Sequence, residues 1–377
     1  GFLNAGIFFA GSNFAYSGAG TTLRAAIYTD GLGGSGGDVG FITSNTALTA
    51  ALHNEITGSF SNGALSINSL KINGANTLTL TGNLTIGTAA GSGIIQTGGS
   101  GVINGSAGNI VASAAGNDLQ VRVEGSGDTL QIARPITTST AGLTKSGAGT
   151  LILSGANTYS GTVYVNEGTL QMATGGLLGA TGIGLAVRQG ATFDLNGVNV
   201  GTAASGTNAV NALNGAGTIT NTGSLASLRI GEGGTGGNYT GLITGNLALV
   251  KAGAGTTHLS GMNSFTGPVT LAGGNLDVTR LANIGQDSGI GRGDAASNAT
   301  NAASLIFQGG NLRYVGTNAG GAVESTQTPS VSIDRLFTMA GNGGIYSFGS
   351  YGNIVQTRNA NSASLIFENT GDIAFSG

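Results

Sequence analysis

The sequence predicts an all-β chain wound as a parallel β-helix, a β-solenoid rod, and three observations carry that expectation. A thirty-residue stretch, Leu143 to Met172, recurs without a gap as Leu249 to Val278, 106 residues later, with fourteen positions identical. Lys145 and Lys251, Gly147 and Gly253, Gly155 and Gly261, Asn157 and Asn263, and Gly168 and Gly274 are among the matches, and Tyr159 corresponds to Phe265. Inside each copy, glycine-bounded turns separate short alternating runs such as Leu151 and Leu153, or Val163 and Val165. That period of two marks strands buried on one side. A gapless internal repeat of this kind favours additive stacking of coils over closed hairpin sandwiches.

The opening residues, 1 to 60, are the least repetitive. Phe2, Phe8, Phe9, Phe14 and Tyr16 concentrate aromatic bulk there, and Ser44 to Glu55 is the one place where a short helical turn is expected. This part is taken as a capping or assembly segment, and residues 61–377 as a continuous β-helix. From Leu65 the rhythm is strand and turn, and steps such as Asn73-Gly74, Gly82-Asn83 and Asn104-Gly105 supply the positive φ that sharp corners need. A second recurrence, Ala303 to Phe307 and Ala363 to Phe367, shares the same geometry. With roughly 20 to 25 residues per coil, inward Leu, Ile and Val stack into apolar ladders and corner Asn into hydrogen-bonded ones.

Composition narrows the class. Glycine fills 73 of 377 positions without a Gly-X-Y register, which excludes collagen. At 40% hydrophobic residues in regular clusters, the chain has too much apolar surface for disorder. Its 13 basic and 16 acidic residues are scattered singly, so it lacks the basic stripe that nucleic acid requires. Sparse charge also weakens the defence against sheet edges meeting, so self-association is expected. Cysteine is absent, which removes disulfides and thiolate metal sites. No apolar run approaches the roughly 18 residues that span a membrane. The chain starts at Gly1 without a charged leader, so any secretion signal is expected to have been removed or to lie outside it.

Lys145 to Gln171 closely resembles the passenger-associated transport repeat, also called the autotransporter-associated β-strand repeat. The copy at Lys251 to Asp277 departs at His258, Met262 and Pro268 but keeps the glycine frame. The resemblance implies a right-handed parallel β-helix, export to the bacterial cell surface or medium, and adhesive or structural duty without a particular ligand. The amphipathic strands of about ten residues that build a membrane barrel are not found. The chain is therefore expected to be a window of a longer protein, or a protomer whose open edge the next copy covers.

A carbohydrate-active β-helix enzyme is the rival class, and a passive spacer of a large adhesin is the other alternative. Hydrolysis needs paired carboxylates, and a lyase needs carboxylates around calcium. Asp194, Asp277, Asp334 and Asp372 sit singly and read as solvated, outward charges. Asp287 and Asp294 lack the glycine-aspartate nonapeptide of calcium-binding β-rolls. No catalytic, cofactor or metal residue is therefore assigned. Arg292-Gly293-Asp294 matches the integrin-type tripeptide and is a candidate adhesive loop. His258 reads as outward and solvated, and Lys145 and Lys251 either guard a turn or form an exposed cationic row for an anionic polymer. The expected partners are further copies or adjoining repeats, end to end, through Phe2, Phe8, Phe9, Phe14 and Tyr16 at one end and Ile373 and Phe375 at the other. Cell-surface or matrix polysaccharide is a further expected partner, with no nucleic acid and no membrane insertion of this segment.

Overall fold

Alternating apolar residues between glycine corners leave each strand one face to bury and two backbone edges to pair, and stacking on the next coil meets both needs at once. The computed structural model describes residues 2–4, 6–17, 22–32, 37–89, 91–112, 117–137, 141–202, 204–315, 331–347 and 365–367. The chain divides into two compact units, Gly1–Ala180 with Gly190–Phe193, and Thr181–Gln189 with Asp194–Gly377. Each is a parallel β-helix.

In the first unit every coil contributes a strand to each of up to three walls. The first wall runs Val39–Ser44, His53–Ile56, Ser69–Asn73, Ser92–Thr97, Leu119–Val123, Leu143–Ser146 and Val163–Val165, all in parallel. The second runs Phe60–Asn62, Thr77–Leu80, Ser100–Gly105, Thr129–Ile132, Thr150–Leu153 and Thr169–Met172. The third runs Leu65–Ile67, Leu84–Ile86, Ile110–Ala112 and Ile136–Thr137. Register partners Glu55 and Lys71 lie 16 residues apart, and Ile95 and Arg122 lie 27 apart, so coils absorb length changes at their corners. Inward side chains form ladders such as Leu119–Leu143–Val163 and Leu130–Leu151–Leu170, all fully buried. Each such side chain contributes about 1.5–3 kcal/mol.

The second unit repeats the plan. One wall contains Ala226–Ile230, Leu247–Lys251, Val269–Leu271, Leu305–Phe307 and Thr338–Met339, and another Gly237–Tyr239, Thr256–Leu259, Asn275–Val278, Asn311–Tyr314 and Gly344–Ser347. Leu153 and Leu259 are buried at equivalent places, while Ile152 and His258 occupy the opposite face and are half-buried. Between Asn275–Val278 and Leu305–Phe307 the corner expands into a loop that carries the helix Asn298–Ala303, closed by a capping box of Ser297 and Thr300.

Antiparallel pairing among the described strands occurs near the start, where Phe8–Phe9, Asn13–Ser17 and Leu23–Ala25 pair in order, and Asp30–Leu32 pairs with Val39–Ser44. Parallel winding is already present at Val39–Ser44 on His53–Ile56, upstream of residue 61. No helix forms over Ser44 to Glu55. There the fully buried Asn54 amide accepts from Thr49 N and donates to the carbonyls of Thr49 and Leu52, which fixes a turn instead.

Glycine is required at the repeat corners. Gly147, Gly253, Gly168 and Gly274 have φ of 77°, 60°, 60° and 59°. A Cβ on Gly168 would stand 2.5 Å from the Gly147 carbonyl oxygen, and one on Gly274 2.5 Å from that of Gly253. Gly190, with φ 83°, has open space where its Cβ would lie. Gly190→Ala should therefore cost only the left-handed backbone term of roughly 1–2 kcal/mol. Gly168→Ala adds a clash with backbone and should cost at least about 3 kcal/mol. Urea midpoints of the two variants check this ordering.

Candidate functional site

The recurring lysine is an interior residue. Lys145 takes an inward position between Val121 and Val165, and Lys251 one between Ile230 and Leu271, and both are fully buried. Their stems extend the apolar ladder while the ammonium groups turn to the corner. Lys145 Nζ donates to the carbonyls of Ser146 (2.8 Å), Gly147 (2.7 Å) and, on the next coil, Glu167 (3.1 Å). Lys251 Nζ donates to those of Ala252 (2.6 Å), Gly253 (3.2 Å) and Gly273 (3.1 Å), the same three repeat positions. Each lysine thus holds its turn, as one of the two readings expects, but from the interior. The other reading is corrected, because neither lysine builds an exposed cationic row. Burial pulls Lys145 down to about 7, opposed by Glu167, and Lys251 down to about 8, opposed by Asp277.

The repeat asparagine does the complementary task. Asn157 Oδ1 accepts from Ile136 N (2.8 Å) on the preceding coil, and its Nδ2 donates to Leu177 O (2.8 Å) on the following one. Asn263 does the same with Ile243 N (2.9 Å) and Gly289 O (3.0 Å). Each amide therefore joins three successive coils from inside. Tyr159 and Phe265 are both fully buried, and burial pushes the Tyr159 hydroxyl far above its ordinary range.

The opening residues lie against the outer face of the first wall. Phe2 contacts Phe14 (5.6 Å), Phe41 (6.4 Å) and His53 (4.3 Å); Phe41 stacks on His53 at 4.3 Å, and Tyr16 meets Phe41 edge-on at 5.7 Å. Phe8 stacks on Phe14 at 5.8 Å and lies under the Arg122 guanidinium, whose Nε donates to Gly11 O (2.7 Å). Phe14 is fully buried, Phe2, Phe8 and Tyr16 are half-buried, and Phe9 is exposed. The apolar demand of this segment is thus met largely within the chain. Ile373 and Phe375 lie outside the described residues.

Charged groups are spent on one another and on backbone. Asp277 and Arg313, both buried, form a two-point pair across adjacent coils (2.5 and 2.6 Å), and His258 Nδ1 lies 3.1 Å from Asp277. Asp194, also buried, accepts from Thr222 Oγ1 (2.7 Å) and Asn196 N (2.9 Å). Half-buried Asp334 accepts from Ile284 N (2.8 Å). Asp277 and Asp194 correct the expectation of solvated charges: Asp277 meets Arg313 at matching register on the adjacent coil, and buried Asp194 is held by Thr222 and its own turn. Asp372 lies outside the described residues. Burial lowers the His258 pKa and the Asp277 carboxylate opposes that, so this histidine is paired rather than free in water. Buried Arg335 donates to the carbonyls of Ala282 (2.8 Å), Gln286 (3.2 Å) and Gly291 (2.6 Å) and braces the expanded loop from beneath. On that loop Arg292 is exposed but paired with Asp287, Gly293 is buried with φ 66°, and exposed Asp294 accepts from Ala296 N (2.8 Å). The tripeptide is therefore presented as a braced corner. Among the described residues no three His, Cys, Asp or Glu gather as a metal site.

The passenger-associated-transport-repeat family model matches residues 143–172 and 249–278. Over 227 residues, 59% of this chain, the sequence is 31% identical to the adhesin BmaC autotransporter of Brucella suis biovar 1 (strain 1330), and the match covers 6% of that protein's length. No solved structure matches the chain.

Asn157→Leu and Asn263→Leu should each cost roughly 2–6 kcal/mol, since each strands one buried N–H and one buried carbonyl at about 1–3 kcal/mol apiece; chemical denaturation measures it. His53, held neutral by burial, is pushed down to about 4 from an ordinary 6.5. The unfolded chain then binds more protons between those values, so its stabilisation is complete above pH 6.5 and lost as pH falls towards 4, by about 3 kcal/mol. His53→Gln should flatten that acid limb in denaturation curves taken from pH 7 to 4.

Proposed function

From a chain that carries two passenger-associated transport repeats, we propose a non-enzymatic stretch of an exported autotransporter passenger, displayed at the bacterial surface with adhesive or structural duty. The observation that carries this reading is the shared wiring of the two repeats. Both invest their lysine and asparagine in tying coils together, and the adhesin relative supports the assignment of such coils to a surface passenger. The chain spans 6% of that relative, so binding by the whole protein is proposed here for a longer polypeptide. A polysaccharide of the matrix or cell surface is a fitting ligand class for its long polar walls.

Self-association is the second element of the proposal, and exposed apolar residues favour it. Leu32 is 83% exposed and Val39 70%, directly across from one another, with Leu23 and Ile27 also exposed. The described pairing of Asp30–Leu32 is to Val39–Ser44 alone, so its other edge is suited to a strand from an adjoining coil or copy. Phe2, Phe14 and Tyr16 are occupied within the chain, and this edge takes over the contact first assigned to them.

Displayed on a non-adherent bacterium through a translocator barrel, the chain should raise binding to host cells or matrix-coated plates several-fold over the barrel alone. Asp294→Glu should leave that binding unchanged, since the tripeptide is a braced corner. Binding equal to the barrel alone would overturn the adhesive reading and leave a spacer.

A further inference from the structure

Under the aromatic cover three side chains meet in an arrangement that neither the repeats nor the adhesive reading requires. Lys71 points out of the first wall, in register with Glu55 on the neighbouring strand, and its Nζ lies 2.9 Å from Glu55 Oε1. The same nitrogen lies 2.6 Å from Oδ1 of Asn13, 58 residues away on the covering strand Asn13–Ser17. Given a C=O bond of about 1.23 Å, Nζ is no more than about 3.8 Å from Asn13 Cγ. That approaches the roughly 3–3.5 Å of a reacting pair.

The surroundings suit a reaction. Lys71 and Glu55 are buried, and fully buried Phe14 follows Asn13 in sequence. The Tyr28 ring lies 5.5 Å from Nζ, with Phe41 against Tyr28 at 5.1 Å. Glu55 is fixed by Thr43 Oγ1, which donates to Oε2 (2.8 Å), and by Asn73 Nδ2, which donates to Oε1 (3.1 Å). With Nζ and Oε1 in direct contact between buried side chains, a proton can pass between them without a water.

We propose that Lys71 and Asn13 join in an intramolecular isopeptide bond, with Glu55 carrying the protons. Glu55 takes a proton from the Lys71 ammonium. The freed amine attacks Asn13 Cγ, forming the Nζ–Cγ bond and a tetrahedral centre. Glu55 returns the proton to Nδ2, the Cγ–Nδ2 bond breaks, and a second proton from Nζ follows. The two protons shed by the ammonium leave with Nδ2 as ammonium ion, so atoms and charge balance with no oxidant and no cofactor. Proximity supplies most of the rate, because effective molarities of oriented pairs reach about 10⁵–10⁸ M, and general acid–base transfer adds about 10²–10⁴-fold. The product ties the aromatic cover to the coil wall covalently in a chain that has no cysteine for a disulfide.

Mass spectrometry of the folded chain tests this. Expected are an intact mass lower by one ammonia and a tryptic species that joins the Asn13 peptide to one uncut at Lys71. Lys71→Arg, Asn13→Ala and Glu55→Gln should each show the mass of their unmodified sequence while keeping the β-sheet circular dichroism. An unmodified wild-type mass after prolonged incubation of folded protein at pH 8 would overturn the proposal. So would an ammonia loss that persists in Asn13→Ala, which belongs to a succinimide at an Asn-Gly step. A Glu55→Gln chain that links at the wild-type rate would remove Glu55 from the mechanism.

Discussion

Everything in this fold depends on satisfying backbone groups at the buried corners of its coils. Strand ladders take care of the walls, but each corner turns carbonyls and N–H groups away from the ladder, and a buried group left unpaired costs about 1–3 kcal/mol. The repeat solves this from within. Lys145 and Lys251 each donate to two carbonyls of their own corner and one of the next coil, and Asn157 and Asn263 reach one coil back and one forward. Glycines with positive φ make the corner tight enough for these side chains to span it.

A buried ammonium hydrogen-bonded to carbonyls rather than to a carboxylate is an unusual device, because taking the charge out of water is costly. Here the cost is offset by three carbonyl acceptors and by a stem that replaces an aliphatic rung. The same logic recurs at Arg335, whose guanidinium gathers the carbonyls of the expanded loop. Interior cations thus act as substitutes for water, and they make the coil-to-coil spacing a property of the side chains as well as of the ladder.

The outer faces follow a different rule. Away from the opening segment the outward residues are mixed, as at Thr150, Ile152 and Tyr164, and where that segment covers the first wall they are aromatic or ionic, as at Phe41, His53, Glu55 and Lys71. That cover buries Glu55 and Lys71 while Phe2, Asn13 and Tyr16 stay half-buried. The cover also reaches towards the first repeat, since Phe8 lies under the Arg122 guanidinium and Arg122 Nη1 is 3.4 Å from Glu167 Oε2.

The alternation of apolar residues, the glycine spacing and the 30-residue recurrence were enough to specify a parallel coil, because inward and outward positions alternate by two and a repeat stacks only on something like itself. The inward places of Leu153 and Leu259 follow directly. The burial of Lys145 and Lys251 was legible in part: they stand two residues after Leu143 and Leu249, in phase with the inward set, but charge argues for the surface until the carbonyls that receive it are in view. What only the tertiary structure decided are contacts between coils and across the cover. Asp277 meets Arg313 36 residues away, and Asn13 meets Lys71 58 residues away. Coil lengths vary with each corner, so sequence distance does not reveal which residues share a register, and only the stacked walls place those side chains within reach.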